Sequence, residues 1–239
     1  MIITEYKPVG MTCGELIKKY ETIDSAYVGI LDPMAHGIVT ILTGNDVGKM
    51  AEYMKKNKVY KFKFIIGHNT DTDDILGINV LDDKHENINL SEVINYINNF
   101  PFEYKQKYHT FSAYKPKKKT KDGKRKPLWW WTSNGYEISD IPARTVKIYS
   151  KKIDKIERVT GIDLKFEFLD KLYRLKEDKF RKGEIIKQWI ETTFNTYYDV
   201  FECTVTVSSG FYIRQFVKDM SDQLGVKMIV TDIERTLVF

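Results

Sequence analysis

Residues 58–67 read KVYKFKFIIG. Tyr60, Phe62, Phe64 and Ile66 alternate with Val59, Lys61, Lys63 and Ile65. This period of two predicts a strand with one buried face. FECTVTVSSG (201–210) repeats the pattern, with Cys203, Val205 and Val207 on one face, and RTVKIYSKKI (144–153) is a third strand candidate. Helical spacing appears between them. Leu90, Val93, Ile94, Ile97 and Phe100 follow the i, i+3, i+4, i+7 rule, with Asn89 or Ser91 available as N-cap. Ile213, Phe216, Val217, Met220 and Leu224 do the same, and Gly225 ends that helix. Residues 11–20 predict a short helix. Residues 179–194 predict another, with Ile185, Ile186, Trp189 and Ile190 as its apolar stripe. Strands interleaved with helices predict a mixed α+β domain.

The chain has 239 residues, enough for one large domain or two small ones. Hydrophobic residues make up 42% and charged residues 30%, the balance of a globular protein and not of a disordered one. No run of about 18 apolar residues marks a membrane span, and MIITEYKPVG lacks the basic-then-apolar order of a signal peptide. Cys13 and Cys203 have no metal-ligand spacing, which favours a reduced intracellular setting, cytoplasmic or organellar, without zinc. A net charge of +5 is compatible with nucleic acid without requiring it.

One segment breaks the texture: YKPKKKTKDGKRKPLWWWTSNG, residues 114–135. Its lysines and Arg125 face a lone Asp122, so self-repulsion predicts mobility until an anion binds. Trp129, Trp130 and Trp131 offer bases a surface to stack on. The plainer reading is a solvated loop followed by a core strand whose alternation buries at least one tryptophan.

Asp32 is the chemically pointed residue. It lies in YVGILDPMAHGIVTILTG (27–44), flanked by Leu31 and Pro33 among small and apolar residues. Asp-Pro suits a turn. In an apolar cleft the same acid would need a cationic partner to stay ionised. Arg214, in SSGFYIRQFVKDM (208–220), is such a partner, and Gly210 permits the tight turn into its helix. Tyr60 is either a core residue or a stacking residue at the mouth end of its strand.

Five motifs then stand in order: EYKPVGMT (5–12), GILDPMAHGIVTILTGNDVGK (29–49), KVYKFKFIIGHNTDTDDILG (58–77), QKYHTFSAYK (106–115) and SSGFYIRQFVKDMSDQLG (208–225). In this order and spacing the chain resembles the TruB-type tRNA pseudouridine synthases. The resemblance implies an α+β pseudouridine synthase fold, a long mixed, mostly antiparallel sheet with a central RNA-binding cleft. It implies isomerisation of a uridine in RNA, uridine 55 of the tRNA T-arm in the simplest case, by a monomer that uses neither cofactor nor metal and touches no membrane. On the matched positions, Asp32 is the nucleophile, Tyr60 stacks on the flipped base and moves a proton, and Arg214 pairs with Asp32. Tyr212 shares the last motif, and Lys7 and Pro8 form the KPxG motif beside the aspartate loop. The family's usual histidine five positions before the aspartate is here Tyr27, which is expected to stack against the substrate. A basic insertion at about 115–127 is expected to touch RNA phosphates through Lys115, Lys124 and Arg125. A partly helical insertion is expected at about 150–198, and no C-terminal PUA domain. Two other readings remain: a non-catalytic RNA-binding protein or tRNA-folding chaperone on the same fold, and a glycosidase-like enzyme with a second carboxylate. Asp71, Asp73 and Asp74 would be the source of that carboxylate, although such a cluster is expected to be a solvated turn.

Overall fold

Eight strands form one mixed sheet in the computed structural model, which describes residues 1–21, 24–80, 89–176 and 180–239. The chain runs β1 (Ile2–Lys7), α1 (Cys13–Ile17), β2 (Ser25–Val28), β3 (His36–Thr43), α2 (Met50–Met54), β4 (Lys58–Ile66), α3 (Leu90–Asn99), β5 (Glu103–Lys107) and α4 (Leu128–Ser133). It continues through β6 (Ala143–Thr160), α5 (Gly161–Tyr173), α6 (Lys182–Glu191), β7 (Tyr197–Val207), α7 (Ile213–Leu224) and β8 (Met228–Val238). The sheet order is β1-β3-β8-β4-β7-β6-β5, with β2 also paired to β3. Every pairing is antiparallel except β3 with β8.

β4 lies at the centre, between β7 and β8. Tyr60, Phe62 and Phe64 point to one face and join Cys203, Val205 and Val207 of β7 in the main core, over which α3 and α7 pack. On the other face Lys61 and Lys63 reach Glu202 in water. The two-residue alternation breaks at Ile65, which is fully buried while Ile66 is only half-buried. The reason is a second core on the opposite face. There Ile65, Val200 and Ile229 meet Leu164, Phe168 and Leu172 of α5 and Ile185, Ile186 and Trp189 of α6. Both sheet faces are therefore covered at this end. Ile190, expected in the α6 stripe, is exposed instead. α6 begins at Lys182; residue 179, where the predicted helix opened, lies outside the described residues.

The predicted boundaries follow local chemistry. Asn89 caps α3 by accepting from the Ser91 amide, and α7 stops at Gly225 in the left-handed conformation. The tryptophans form helix α4 and not the expected strand: Pro127 precedes the helix, Trp131 is buried and Trp129 exposed.

One glycine holds the sheet together where β3 meets β8. Gly37 stands at φ +109, and a Cβ there would come within 2.3 Å of the Arg235 carbonyl oxygen. A Gly37→Ala substitution is expected to cost at least about 2 kcal/mol, through strain at positive φ and separation of the parallel pair. Chemical denaturation with an unchanged m-value checks it.

Candidate active site

The loop between β2 and β3 carries Asp32, and three neighbours fix its path. Lys7 at the end of β1 is fully buried and donates from Nζ to the carbonyls of Pro8 (3.2 Å), Met11 (2.7 Å) and Pro33 (3.4 Å). The Gly10 amide donates to the same Pro33 carbonyl at 2.9 Å. Cys13 of α1 accepts from the Leu31 amide through Sγ at 3.3 Å. Asp32 closes the turn itself, its carbonyl accepting from the Ala35 amide at 3.0 Å. The carboxylate is thereby held half-buried.

α7 brings the cation. Arg214 is 5% exposed, and its Nε (2.9 Å) and Nη2 (2.7 Å) both reach Asp32 Oδ2. Nη1 donates to the Thr72 carbonyl at 2.9 Å and Nη2 to the Phe111 carbonyl at 3.2 Å. A second carboxylate, Asp74, lies 3.5 Å from Nε. Burial opposes the guanidinium charge, but Asp32 and Asp74 together outweigh it and raise the Arg214 pKa.

Asp73 and Asp74 correct the expectation of a solvated turn: both are buried. Asp74 Oδ1 accepts from Thr72 Oγ1 (2.6 Å) and from the Leu76 amide (2.9 Å). Asp73, at φ +56, accepts from His109 Nε2 at 2.8 Å. The Phe111 amide and Arg214 Nη1 both aim at His109 Nδ1, at 3.0 and 3.3 Å, which places the imidazole proton on Nε2. Burial, reinforced by Arg214, lowers the His109 pKa and keeps the ring neutral.

Burial pushes the Asp74 carboxyl up to about 6, against the pull of Arg214. From about pH 4 to 6 the folded chain therefore holds a proton that the unfolded chain has released. In that window this group makes stability fall as pH rises. Asp74→Asn is expected to remove that downward contribution; wild-type and variant denaturation curves measured at pH 4, 5, 6 and 7 check it.

A cavity of about 330 Å³ opens above the pair, lined by Asp32, Tyr60, Tyr108, Tyr212 and Arg214 among others. Tyr60 is aimed by a bulge: in the β4–β8 ladder Val59 pairs Leu237 and Tyr60 pairs Arg235, which leaves Thr236 unmatched. Tyr212 is set by a two-way bond with buried Gln106, amide to Oε1 and Nε2 to carbonyl, each 2.9 Å. Its ring stands edge-on to Tyr108, which stacks on Tyr114 at 4.0 Å. Asp32, Tyr60, Tyr212 and Arg214 thus share one cavity.

The other expected site residues lie elsewhere. Tyr27 sits on β2, half-buried against the main core, and is not among the residues lining the cavity. Lys7, expected among the substrate contacts, is sealed beneath the Asp32 loop, while Pro8 is exposed. The basic segment folds back on itself. Arg125 donates to the Lys115 (2.6 Å) and Pro116 (3.0 Å) carbonyls, and Lys124 pairs with Asp122 at 3.1 Å. Lys118 lies 5.0 Å from the Trp131 ring and Lys126 5.6 Å from Trp130. Lys115 and Lys124 are exposed, and Lys115 directly follows Tyr114 of the cavity wall. Sequence reasoning passed over His109, Lys58, Arg144 and Arg235, and took Asp74 only for a solvated turn or a second carboxylate, not for a partner of Arg214. His109 and Asp74 stood within quoted motifs, but only the fold shows that they converge on Arg214.

A sequence model of the TruB family pseudouridylate synthase (N terminal domain) matches residues 18–173. A tRNA pseudouridine synthase B from Endomicrobium trichonymphae is 25% identical over 96% of this chain and 80% of its own length. One from Clostridium tetani is 27% identical over 98% of this chain and 66% of its own length. Among solved structures, an H/ACA ribonucleoprotein bound to a substrate RNA containing 2′-deoxyuridine aligns over 99% of this chain and 47% of its own, with a TM-score of 0.55 and 14% identity. A Cbf5–Nop10–Gar1 complex aligns equally well, with a TM-score of 0.55 and 14% identity. At that identity the likeness concerns the fold.

Proposed function

Because the chain belongs to the TruB family of pseudouridylate synthases, we propose that it isomerises a uridine in RNA to pseudouridine, with uridine 55 in the tRNA T-arm as its target. The observation that carries the proposal is the Arg214–Asp32 pair facing a cavity that Tyr60 also lines. The reaction breaks the N1–C1′ bond, turns the uracil and forms a C5–C1′ bond; the C5 hydrogen leaves as a proton and N1 takes one up, so the mass is unchanged. The uracil must be flipped out of its stack to be reached. Unstacking costs a few kcal/mol, which an aromatic platform such as Tyr60 partly offsets.

Asp32 is the nucleophile in this scheme. Both Arg214 bonds fall on Oδ2, and Oδ1 carries no hydrogen bond from the described residues. One oxygen is anchored and the other is left for the substrate. Tyr60 stacks on the base and moves the ribose proton. A Tyr60→Phe variant is expected to bind RNA as wild type does but to turn over about 10²-fold more slowly, since stacking survives and proton transfer does not. Equal rates for the two proteins would remove that role.

The proposal is tested with an unmodified T-arm hairpin carrying tritium on uridine C5. Release of the label to water at the rate of product formation supports isomerisation. Tight binding with no release identifies an RNA-binding protein or folding chaperone instead.

A further inference from the structure

The wall of the cavity away from Asp74 carries three cations that the scheme above does not use. Lys58 lies two residues before Tyr60 on β4 and so shares its face. Arg235 is the β8 register partner of Tyr60. Arg144 lays its guanidinium across Gly210, where a Cβ would fall 1.5 Å from Nη2. All three line the cavity, and Lys58 and Arg235 are more than nine-tenths buried.

Their bonds go to neutral groups. Lys58 Nζ donates to the carbonyls of Met54 (3.2 Å) and Lys56 (2.5 Å). Arg144 Nη2 donates to the Ser209 carbonyl at 2.6 Å, and Nη1 stands 3.5 Å from the Tyr108 hydroxyl. Arg235 donates to the carbonyls of Ile38 (2.6 Å) and Gly29 (3.2 Å). Ser209 Oγ also donates to the Met54 carbonyl, so Arg144 and Lys58 meet through one shared set of partners. Among the described residues no carboxylate pairs with any of the three. Arg214, by contrast, has Asp32 and Asp74.

The cavity lining therefore holds four cations, Lys58, Arg144, Arg214 and Arg235, against the single carboxylate of Asp32. Charges withdrawn from water without a counter-charge are costly, and a fold that keeps two of them, Lys58 and Arg235, beside the half-buried Arg144 has a reason beyond packing. Burial first, then Arg235 and Arg144, bring the Lys58 pKa down to about 8, as expected of cations crowded together. A nucleoside is neutral and cannot use this surplus. The nucleotide that carries it into the cavity has a phosphodiester on either side.

We propose that Lys58, Arg144 and Arg235 form an anion subsite that holds a phosphodiester flanking the flipped nucleotide. The proposal rests on the RNA reading above. An anion in this subsite would fix the backbone beside Tyr60 while Asp32 and Arg214 face the sugar and base. Guanidinium groups suit that contact because their planar forks match phosphate oxygens.

The test compares three T-arm hairpins: the natural one and two with a neutral methylphosphonate in place of the phosphate 5′ or 3′ of the target uridine. Wild-type protein is expected to bind one neutralised hairpin at least about tenfold more weakly than the natural one, the loss of a charge-assisted bond. Arg144→Gln and Lys58→Met are each expected to bind the natural hairpin more weakly and to lose the discrimination. Their slope of log affinity against log salt is expected to be shallower by about 0.7, the signature of one single-strand phosphate contact. Wild-type protein binding all three hairpins equally would overturn the subsite, and that arm stands even if a variant fails to fold. Pseudouridine formation on the natural hairpin is scored separately, so a failed subsite and a failed isomerase reading give different results.

Discussion

Asp32→Asn is expected to lower kcat/KM on a T-arm hairpin by about 10⁴-fold or more, equivalent to about 5.5 kcal/mol of transition-state stabilisation. An amide keeps the shape of the side chain and an oxygen for Arg214 to bond, but it lacks the carboxylate that serves as nucleophile in the proposed scheme. The fold should survive, because Arg214 keeps Asp74 at 3.5 Å and its bonds to the Thr72 and Phe111 carbonyls. The variant is expected to melt within a few degrees of wild type and to bind the hairpin with similar affinity. That separation of binding from turnover distinguishes a lost reacting group from a damaged site. A variant that retained a tenth of wild-type activity would remove Asp32 from the chemistry.

Arg214→Met should have the largest effect on stability. The guanidinium is buried, and it serves two carboxylates, two carbonyls and the His109 ring. Removing it leaves Asp74 buried without its cation. Breaking a buried pair from one side costs about 3–5 kcal/mol. For a chain of this size that lowers Tm by on the order of 10 °C. Activity should fall as well, because Asp32 loses both bonds to Oδ2. The cause can be isolated with a second substitution. Arg214→Met with Asp74→Asn should recover part of the lost stability, since the stranded carboxylate is gone, but none of the activity. If the double variant is no more stable than Arg214→Met alone, burial of the Asp74 charge is not what the arginine relieves.

Much of the scaffold was legible because it follows periodicity. The alternation in Tyr60, Phe62 and Phe64 and the helical spacing from Ile213 to Leu224 both report which face meets the main core. What periodicity could not supply was the second core. Ile65 departs from the pattern only because α5 and α6 cover the far face at that end, which is a tertiary fact. The three tryptophans misled for a related reason. Three identical residues in a row carry no period, and the helix they form owes its start to Pro127 and its anchor to buried Trp131.

The site divides along the same line. Asp32, Tyr60, Tyr212 and Arg214 stand out by motif, and the structure gathers them around one cavity. Asp73 and Asp74 looked like a polar turn because runs of acids usually lie in water. They are buried because His109 and Arg214 come from distant segments to meet them. Tyr27 stands where the motif put it, on β2, but its side chain packs toward the core. The surplus of cations around Lys58 is invisible in sequence, since its members lie on β4, β6 and β8 and converge only in the folded sheet.

The most direct measurement is a single-turnover reaction of excess wild-type protein with an unmodified tRNA T-arm hairpin, followed by nucleoside analysis of the RNA. Close to one equivalent of pseudouridine per hairpin, at one position, with no change in RNA mass and no product from Asp32→Asn under the same conditions, is the predicted result. Intact uridine at every position after saturating binding by the wild-type protein would contradict it.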